Sequence, residues 1–257
     1  MSWAAANWCS SSSDASLTRW HHRRPRNHQR ASSIRIAIRR DWHTKNVSGV
    51  ELELRVAWQR HLGVSPVSTE WFDSVLGAYR AEGRHYHGVR HVAWVVRHVE
   101  AIAADHPVGD LDGTMAAAFF HDVVYDPTRH DNEAESAAMA ARALVEIGWP
   151  DPACRHVGNL VMATATHDLE GVDRDTAVLL AADLAVLAAE PSRYAEYATA
   201  VRREYAHVDD DGWRAGREHV LRALLARPRL FAPELELDEW ERRARANITS
   251  ELASIAQ

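Results

Sequence analysis

The sequence lacks the features that mark secreted, membrane-spanning and strand-rich proteins. Its 257 residues include only two cysteines, Cys9 and Cys154, which form neither a C-x-x-C unit nor a disulfide framework, so we expect a reducing, cytoplasmic location. The longest apolar runs reach about ten residues, well short of the roughly 20 that span a bilayer, so we expect no membrane segment. Glycine and proline are modest in number, and no alternating stretch rich in Val, Ile, Thr and Tyr stands out as a strand.

The residues that are abundant favour helices. Alanine, leucine, glutamate and arginine dominate the later two thirds of the chain. Hydrophobic residues make up 46% and charged residues 26% of the chain, which is ordinary for a soluble globular protein with a sizeable core. The sequence therefore predicts an all-α protein with one domain over residues 47–257.

The N-terminal segment, residues 1–46, differs from this domain in charge and in pattern. Its first 45 residues contain nine Lys and Arg against two Asp, a net charge of +7, whereas the rest of the chain carries −13. It contains a serine run and no sustained apolar periodicity, so we predict a disordered or poorly ordered basic extension. A targeting segment and a nucleic-acid-binding arm are the alternatives, and we do not favour a nucleic-acid partner.

Helical periodicity begins after this extension. Apolar residues recur at three- and four-residue steps between breaks such as Gly63, Gly83 and Gly148. The segment from Leu111 to about Val124 is almost wholly apolar in its middle, which predicts a helix buried on all sides. The predicted helices begin near residues 50, 68, 86, 111, 131, 151, 173, 191, 210 and 238.

Side chains that can bind a metal lie on these apolar helices. His87 and His91 are four residues apart at the start of the third predicted helix, and His121-Asp122 closes the apolar fourth helix. Asp183 lies within another apolar run, LLAADLAVLAA. A buried charge without a partner is very costly, and a shared metal ion would provide that partner.

One histidine of the third helix, the His121-Asp122 pair and Asp183 would supply nitrogen and oxygen ligands for one divalent ion. Imidazole suits Mn, Fe, Co, Ni and Zn, and a carboxylate favours harder ions such as Mn or Mg. Such an ion would lower the pKa of a bound water and polarise a phosphoryl oxygen. The competing interpretation of the pair is a buried ion pair without a metal.

The order of these residues resembles that of a known family. A histidine, then His-Asp, then a distant aspartate, all on helices, is similar to the HD superfamily of metal-dependent phosphohydrolases. A narrower resemblance, to the predicted HD phosphohydrolases of bacteria, covers about residues 50–245. The segments that carry it are RHYHGVRHV, AAAFFHDVVYDP, DNEAESA, TATH, ADLAVLA and RREY…GR…VL.

The resemblance implies a single HD-type helical bundle with four metal ligands, which are His91, His121, Asp122 and Asp183. His91 is preferred to His87 because the V-x-x-V step that usually follows the family's first ligand comes after it. The implied activity is hydrolysis of a small phosphorylated substrate, such as a nucleotide, by a metal-activated water. A homodimer is compatible with these expectations.

The position of the catalytic base departs from the nucleotide-hydrolysing members of the superfamily. Several of those enzymes have the pattern H-D-x-x-E-D, whose glutamate helps to activate water. The same place here holds Tyr125, which cannot be a base at neutral pH because the pKa of tyrosine is near 10. Glu133, Glu135 and the metal-bound Asp122 are the candidates to replace that glutamate.

Other residues and other functions also remain open. His87 is a candidate substrate contact, and His167, which follows Thr164 and Thr166, is a candidate phosphate contact or helix cap. Arginines 84, 202 and 217 could pair with phosphate, although ion pairs within the protein are commoner. A regulatory module that binds metal and nucleotide without turnover is the first alternative function. A di-iron oxygenase is the second, and it would need bridging histidines, for which only His130, His156 and His167 are available.

Overall fold

Ten α-helices and two short 3-10 helices form the part of the chain that the structure, a computed structural model, describes, which is residues 47–255. These residues contain no strand, so the prediction of an all-α fold is confirmed for them. The predicted basic extension, residues 1–46, lies outside the described residues. The helices are α1 (Val47–Leu62), α2 (Pro66–Tyr79), α3 (Val89–Asp105), α4 (Leu111–Phe120), α5 (Asn132–Ile147), α6 (Asp151–Ala163), α7 (Arg174–Asp183), α8 (Pro191–Glu204), α9 (Asp210–Ala226) and α10 (Asp238–Ile255), with 3-10 turns at Leu184–Ala188 and Pro233–Leu235.

Helix α4 lies at the centre of the domain. Every residue from Gly113 to Phe120 is buried, because α1, α3, α5, α6 and α7 all pack against this one helix. It carries no charged side chain after Asp112, so burial on all sides leaves no ionised group without water. Asp110 begins the helix by accepting a hydrogen bond from the Gly113 N–H. The predicted burial of this helix is confirmed.

Aromatic residues of α1 and α2 hold the C-terminal end of α4. The Trp58 ring lies edge-on to Phe119, with ring centroids 5.1 Å apart, and its indole N–H donates to Ser68 Oγ. The buried Tyr79 hydroxyl donates to the Phe119 carbonyl at 3.1 Å and accepts from the Asp122 N–H at 3.3 Å. These contacts fix the position of the C-terminal end of α4. His121 and Asp122 come directly after that end.

Two helices are shorter than the sequence predicted. Helix α4 ends at Phe120 instead of Val124, since the Arg84 guanidinium donates hydrogen bonds to the carbonyl groups of Asp122 and Val123, at 2.7 and 2.8 Å. Helix α3 begins at Val89 instead of Tyr86, since the Glu204 carboxylate accepts the backbone N–H groups of Tyr86 and His87. His87 therefore precedes the helix that carries His91. Both changes come from contacts between distant residues.

Helix α7 packs against α3 and ends at Asp183, where the chain tightens into the 3-10 turn Leu184–Ala188. The Asn247 side-chain amide of α10 donates to the carbonyl groups of Leu187 and Ala189, both at 2.8 Å, and so satisfies the end of that turn. Among residues 47–255, none of the helices combines the length and the apolar character that crossing a membrane requires.

His98 is a buried histidine of α3 that packs against tryptophan side chains and not against an acid. Its Nδ1–H donates to the Trp94 carbonyl at 2.7 Å, and its ring lies 5.5 Å from that of Trp240. Burial lowers the pKa of His98 to about 4, although the hydrogen bond to Trp94 opposes this change.

We expect His98 to make the protein less stable in acid. The unfolded chain binds a proton at this residue below a pKa of about 6.5, whereas the folded chain does so only near pH 4, so stability is lost as the pH falls between these values. The unfolding free energy of the wild type, relative to that of His98→Gln, should fall by about 3 kcal/mol between pH 7 and pH 4. Urea unfolding at several pH values measures this difference, and parallel curves for the two proteins would contradict it.

Candidate metal centre

Four side chains meet at one point where the ends of three helices come together, and three of them are buried while Asp122 is half-buried. His91 lies in the first turn of α3, His121 and Asp122 directly follow α4, and Asp183 is the last residue of α7. One ligand atom from each residue lies within 4.8 Å of those of the other three. The packing of α3 against both α4 and α7 brings these helix ends together. The predicted ligand set therefore forms a single cluster in the described part of the chain.

The distances between the four ligand atoms fit a metal coordination sphere. The Nε2 atoms of His91 and His121 are 2.9 Å apart, and Asp122 Oδ2 lies 3.2 Å from each of them. Asp183 Oδ1 lies 3.3 Å from His91 Nε2 and 3.5 Å from His121 Nε2. Ligands about 2.1 Å from a common ion lie about 3.0 Å apart in an octahedron and about 3.4 Å apart in a tetrahedron. The chemistry of the donor set and these spacings suit a divalent ion.

The charges of the four side chains show why an ion pair is the competing interpretation. Burial would lower the pKa of His121, but the Asp122 and Asp183 carboxylates outweigh burial and raise it to about 10. Burial would raise the pKa of each carboxyl group, but the histidines hold both well below the usual range. A protonated His121 would thus neutralise part of the negative charge.

The two facing imidazoles favour a metal over an ion pair. The Nε2 atoms of His91 and His121 point at each other at 2.9 Å, so one proton can lie between them, and two protons would repel. Burial and the charge on His121 both oppose protonation of His91, but its contacts with the Asp122 and Asp183 carboxylates outweigh them and raise the pKa of His91, so without a metal both imidazoles compete for protons at one place. A cation accepts the lone pairs of both nitrogens and of both carboxylates at once.

Residues behind the cluster orient two of its members. His121 Nδ1–H donates to the Ala118 carbonyl at 2.9 Å, which leaves its Nε2 directed at the cluster. His167 Nε2 lies 2.8 Å from Asp183 Oδ2, so it holds one carboxylate oxygen and leaves Oδ1 for the cluster. His91 departs from this pattern, because its buried Nδ1 has no hydrogen-bond partner among the residues that the structure describes.

His167 adopts a left-handed backbone conformation, with φ at 51°. Few residues other than glycine do so, and the cost is roughly 1–2 kcal/mol. The Arg227 guanidinium stabilises this turn by donating to the carbonyls of Thr166 and His167 at 2.7 and 2.8 Å. Burial lowers the pKa of His167, so the ring is neutral and its Nε2–H donates to Asp183. His167 thus contacts a ligand of the cluster.

His87 pairs with a residue that the sequence analysis did not single out. Its Nδ1 lies 2.6 Å from Glu204 Oε2, and its ring stacks on Tyr125 at a centroid distance of 4.2 Å. Burial opposes ionisation of Glu204, but the His87 charge and the N–H groups of residues 86 and 87 lower its pKa to about 2. Glu204 belongs to the RREY segment, and that segment was the only signal in the sequence that could have indicated it.

Tyr125, Glu133 and Glu135 are the remaining residues that the sequence connected with the catalytic base. Glu135 is exposed, and its carboxylate lies 3.5 Å from the Arg129 guanidinium. The Tyr125 hydroxyl donates to Glu204 Oε2 at 3.0 Å, and burial and then Glu204 raise its pKa far above the usual value, so it stays neutral. Glu133 is buried in the first turn of α5 and makes no hydrogen bond or ion pair with the described residues. Its role as base stays a prediction.

The arginines considered as phosphate contacts have partners within the protein. Arg84 donates to three carbonyl groups, and Arg202 pairs with Asp210 at 2.7 Å. Arg217 is buried and forms two hydrogen bonds with Glu251, at 2.8 and 3.0 Å. The guanidinium groups of these three arginines are therefore engaged in contacts that hold parts of the protein together.

Comparison with protein-family models, with curated proteins and with solved structures gives no match for this chain. The class of protein is therefore defined by the described residues themselves: a helical protein with a buried His/Asp cluster that could hold a metal ion.

We expect the metal-free protein to bind about one divalent ion per chain through this cluster. Asp183→Asn should weaken Mn²⁺ or Co²⁺ binding more than about 100-fold, since even residues behind metal ligands change affinity by about 10–100-fold. The affinity should rise with pH between 7 and 9, because the pKa of His121 is raised to about 10 and binding must displace its proton. Equilibrium dialysis with metal analysis measures both effects.

The matched control is Asp168→Asn, which changes an exposed carboxylate next to His167 in the chain. Its metal affinity should equal that of the wild type. Equal loss of affinity in both variants, or binding by Asp183→Asn as tight as that of the wild type, would contradict the assignment.

Proposed function

We propose that the protein is a metal-dependent phosphohydrolase that acts on a small phosphorylated molecule, with nucleotides as one candidate class. The convergence of His91, His121, Asp122 and Asp183 on one point is the observation that carries the proposal. The resemblance to HD phosphohydrolases in the order of these residues supports it. Four protein ligands leave open positions in an octahedral sphere, and a hydrolase needs such positions for water and substrate.

A bound divalent ion would supply Lewis acidity and a water of lowered pKa. Asp122 and Asp183 would hold that ion with negative charge, and the two imidazoles would complete the ligand set. His167 would keep the Asp183 carboxylate in one orientation through its hydrogen bond to Oδ2. Glu133 is the candidate to orient the attacking water, since it is a buried carboxylate without a hydrogen-bond or ion-pair partner among residues 47–255.

His87 and Glu204 would handle a proton beside the cluster. The His87 ring lies 5.5 Å from the His91 ring, and its charge contributes to the lowered pKa of Asp122. Because Glu204 holds Nδ1, the other ring nitrogen, Nε2, is left to contact substrate. A histidine held in this way by a carboxylate can donate a proton to a departing alkoxide or phenoxide.

We expect the metal-free full chain to hydrolyse 4-nitrophenyl phosphate when Mn²⁺, Co²⁺, Ni²⁺ or Mg²⁺ is added. Asp122→Asn should lower kcat/KM more than about 100-fold, since it removes a metal ligand. Asp126→Asn is the matched control, because this carboxylate lies in the same loop and, within the described part of the chain, accepts hydrogen bonds only from Thr128. Colorimetric initial rates measure the effect.

Absence of hydrolysis with every metal, or activity that Asp122→Asn leaves intact, would contradict the proposed function. Thermal stabilisation by a nucleotide without release of phosphate would select the regulatory module instead, because a ligand that binds only the folded state raises apparent stability.

The proton role of His87 predicts that Glu204→Gln affects poor leaving groups most. Phenyl phosphate releases a phenoxide whose conjugate acid has a pKa near 10, and it needs a proton donor far more than 4-nitrophenyl phosphate does. We expect the variant to lose about 100-fold or more in kcat for phenyl phosphate and much less for the nitrophenyl ester. A merely structural role for Glu204 would lower both rates by the same factor.

A further inference from the structure

Most arginines of the described residues form ion pairs or hydrogen bonds within the protein, and Arg90 is one of the exceptions. Thirteen form an ion pair within 3.2 Å of a carboxylate, and Arg84 and Arg227 donate to backbone carbonyls. Arg90 forms neither an ion pair nor a hydrogen bond with residues 47–255, yet it directly precedes the metal-ligand candidate His91. An unpaired guanidinium beside a candidate active site is available to a ligand.

Arg90 lines a cleft between α3 and α8 that also has His91 in its wall. The cleft has a volume of about 170 Å³, enough for a small organic group. Arg193 enters it from α8, with its guanidinium 4.9 Å from the centroid of the Trp94 ring. The aromatic side chains of Tyr86, Trp94 and Tyr197 line the rest of it. The cleft is thus lined both by His91 of the candidate metal centre and by two cationic side chains, Arg90 and Arg193.

The cleft has more positive than negative charge. Glu196 is its one acidic lining residue, and the closest approach of this carboxylate to Arg193 is 3.9 Å, longer than a hydrogen bond. Burial lowers the pKa of Arg193, and the nearby charges of Arg90 and Arg97 lower it further. The Glu196 carboxylate opposes this change but does not cancel it. A bound anion would relieve the repulsion between Arg90 and Arg193.

We propose that this cleft binds a second anionic group of the substrate, a carboxylate or a further phosphate, between Arg90 and Arg193. The inference rests on the proposed function for the place of the first phosphate, at the His/Asp cluster beside His91. The preferred substrate is then a small phosphate ester whose organic part carries another anion. Arg90 and Arg193 are specificity-determining residues, and the aromatic side chains contact the part of the substrate between the two anions.

Three esters that differ in one substituent test this inference on the metal-loaded full chain: phenyl phosphate, 4-carboxyphenyl phosphate and 1,4-phenylene bisphosphate. The wild type should show a kcat/KM at least about tenfold higher than for phenyl phosphate with one or both of the esters that carry a second anionic group, which is the size of one charge-assisted contact. The ester with the higher value identifies the anion as carboxylate or phosphate. Arg90→Gln should reduce the preference about tenfold.

Two further variants sharpen the comparison. Arg203→Gln removes an exposed arginine of α8 that does not line the cleft, and the preference should stay at the wild-type value. Glu196→Gln removes the one carboxylate of the cleft and should increase the preference. An equal kcat/KM for all three esters in the wild type, or a preference that Arg90→Gln leaves intact, would overturn the inference and leave the proposed function standing.

Binding to the metal-free protein provides a readout without turnover. Calorimetry should show 4-carboxyphenyl phosphate or the bisphosphate binding at least about tenfold more tightly than phenyl phosphate, with the difference lost in Arg90→Gln. If no ester is hydrolysed but this binding preference holds, the proposed activity fails and the anion site stands. If the binding preference is also absent, the anion site fails as well.

Discussion

The structure depends on the convergence of two carboxylates and two imidazoles at one point. Asp183 is buried and Asp122 is half-buried among apolar helices, where an ionised group without a partner would be costly. The packing of the surrounding helices shields these side chains from water. The central, uncharged α4 excludes water from one side, and the packing of α3 against α7 closes the other.

Supporting contacts extend outward from that cluster in two directions. On the α7 side, Arg227 holds the strained turn at His167, and His167 holds one oxygen of Asp183. On the α4 side, Arg84 and Tyr79 hold the backbone after Phe120. Glu204 then joins α8 to the segment before α3. Ligand atoms placed by several independent contacts are pre-organised, which both metal binding and catalysis require.

Much of the fold and the cluster could be predicted from the sequence, because their signals are local. The apolar run of α4 and the lone Asp183 in its apolar helix indicated burial directly. The places of His87 and His167 could not be predicted in this way, because His87 lies before the helix that the periodicity extended over it and His167 lies in the turn after α6. Their backbones follow contacts with Glu204 and Arg227, which are about 117 and 60 residues away in the chain. The partner of His87 had no local signal for the same reason.

We propose that these four side chains bind a single divalent ion through two imidazoles and two carboxylates. X-ray absorption spectroscopy of the Co²⁺-loaded protein tests this binding mode, because imidazole rings add a distinctive outer-shell scattering to the spectrum. We expect two imidazole nitrogens and a set of oxygens about 2.0–2.2 Å from the ion. A first shell of oxygen alone, with no imidazole scattering, would contradict it.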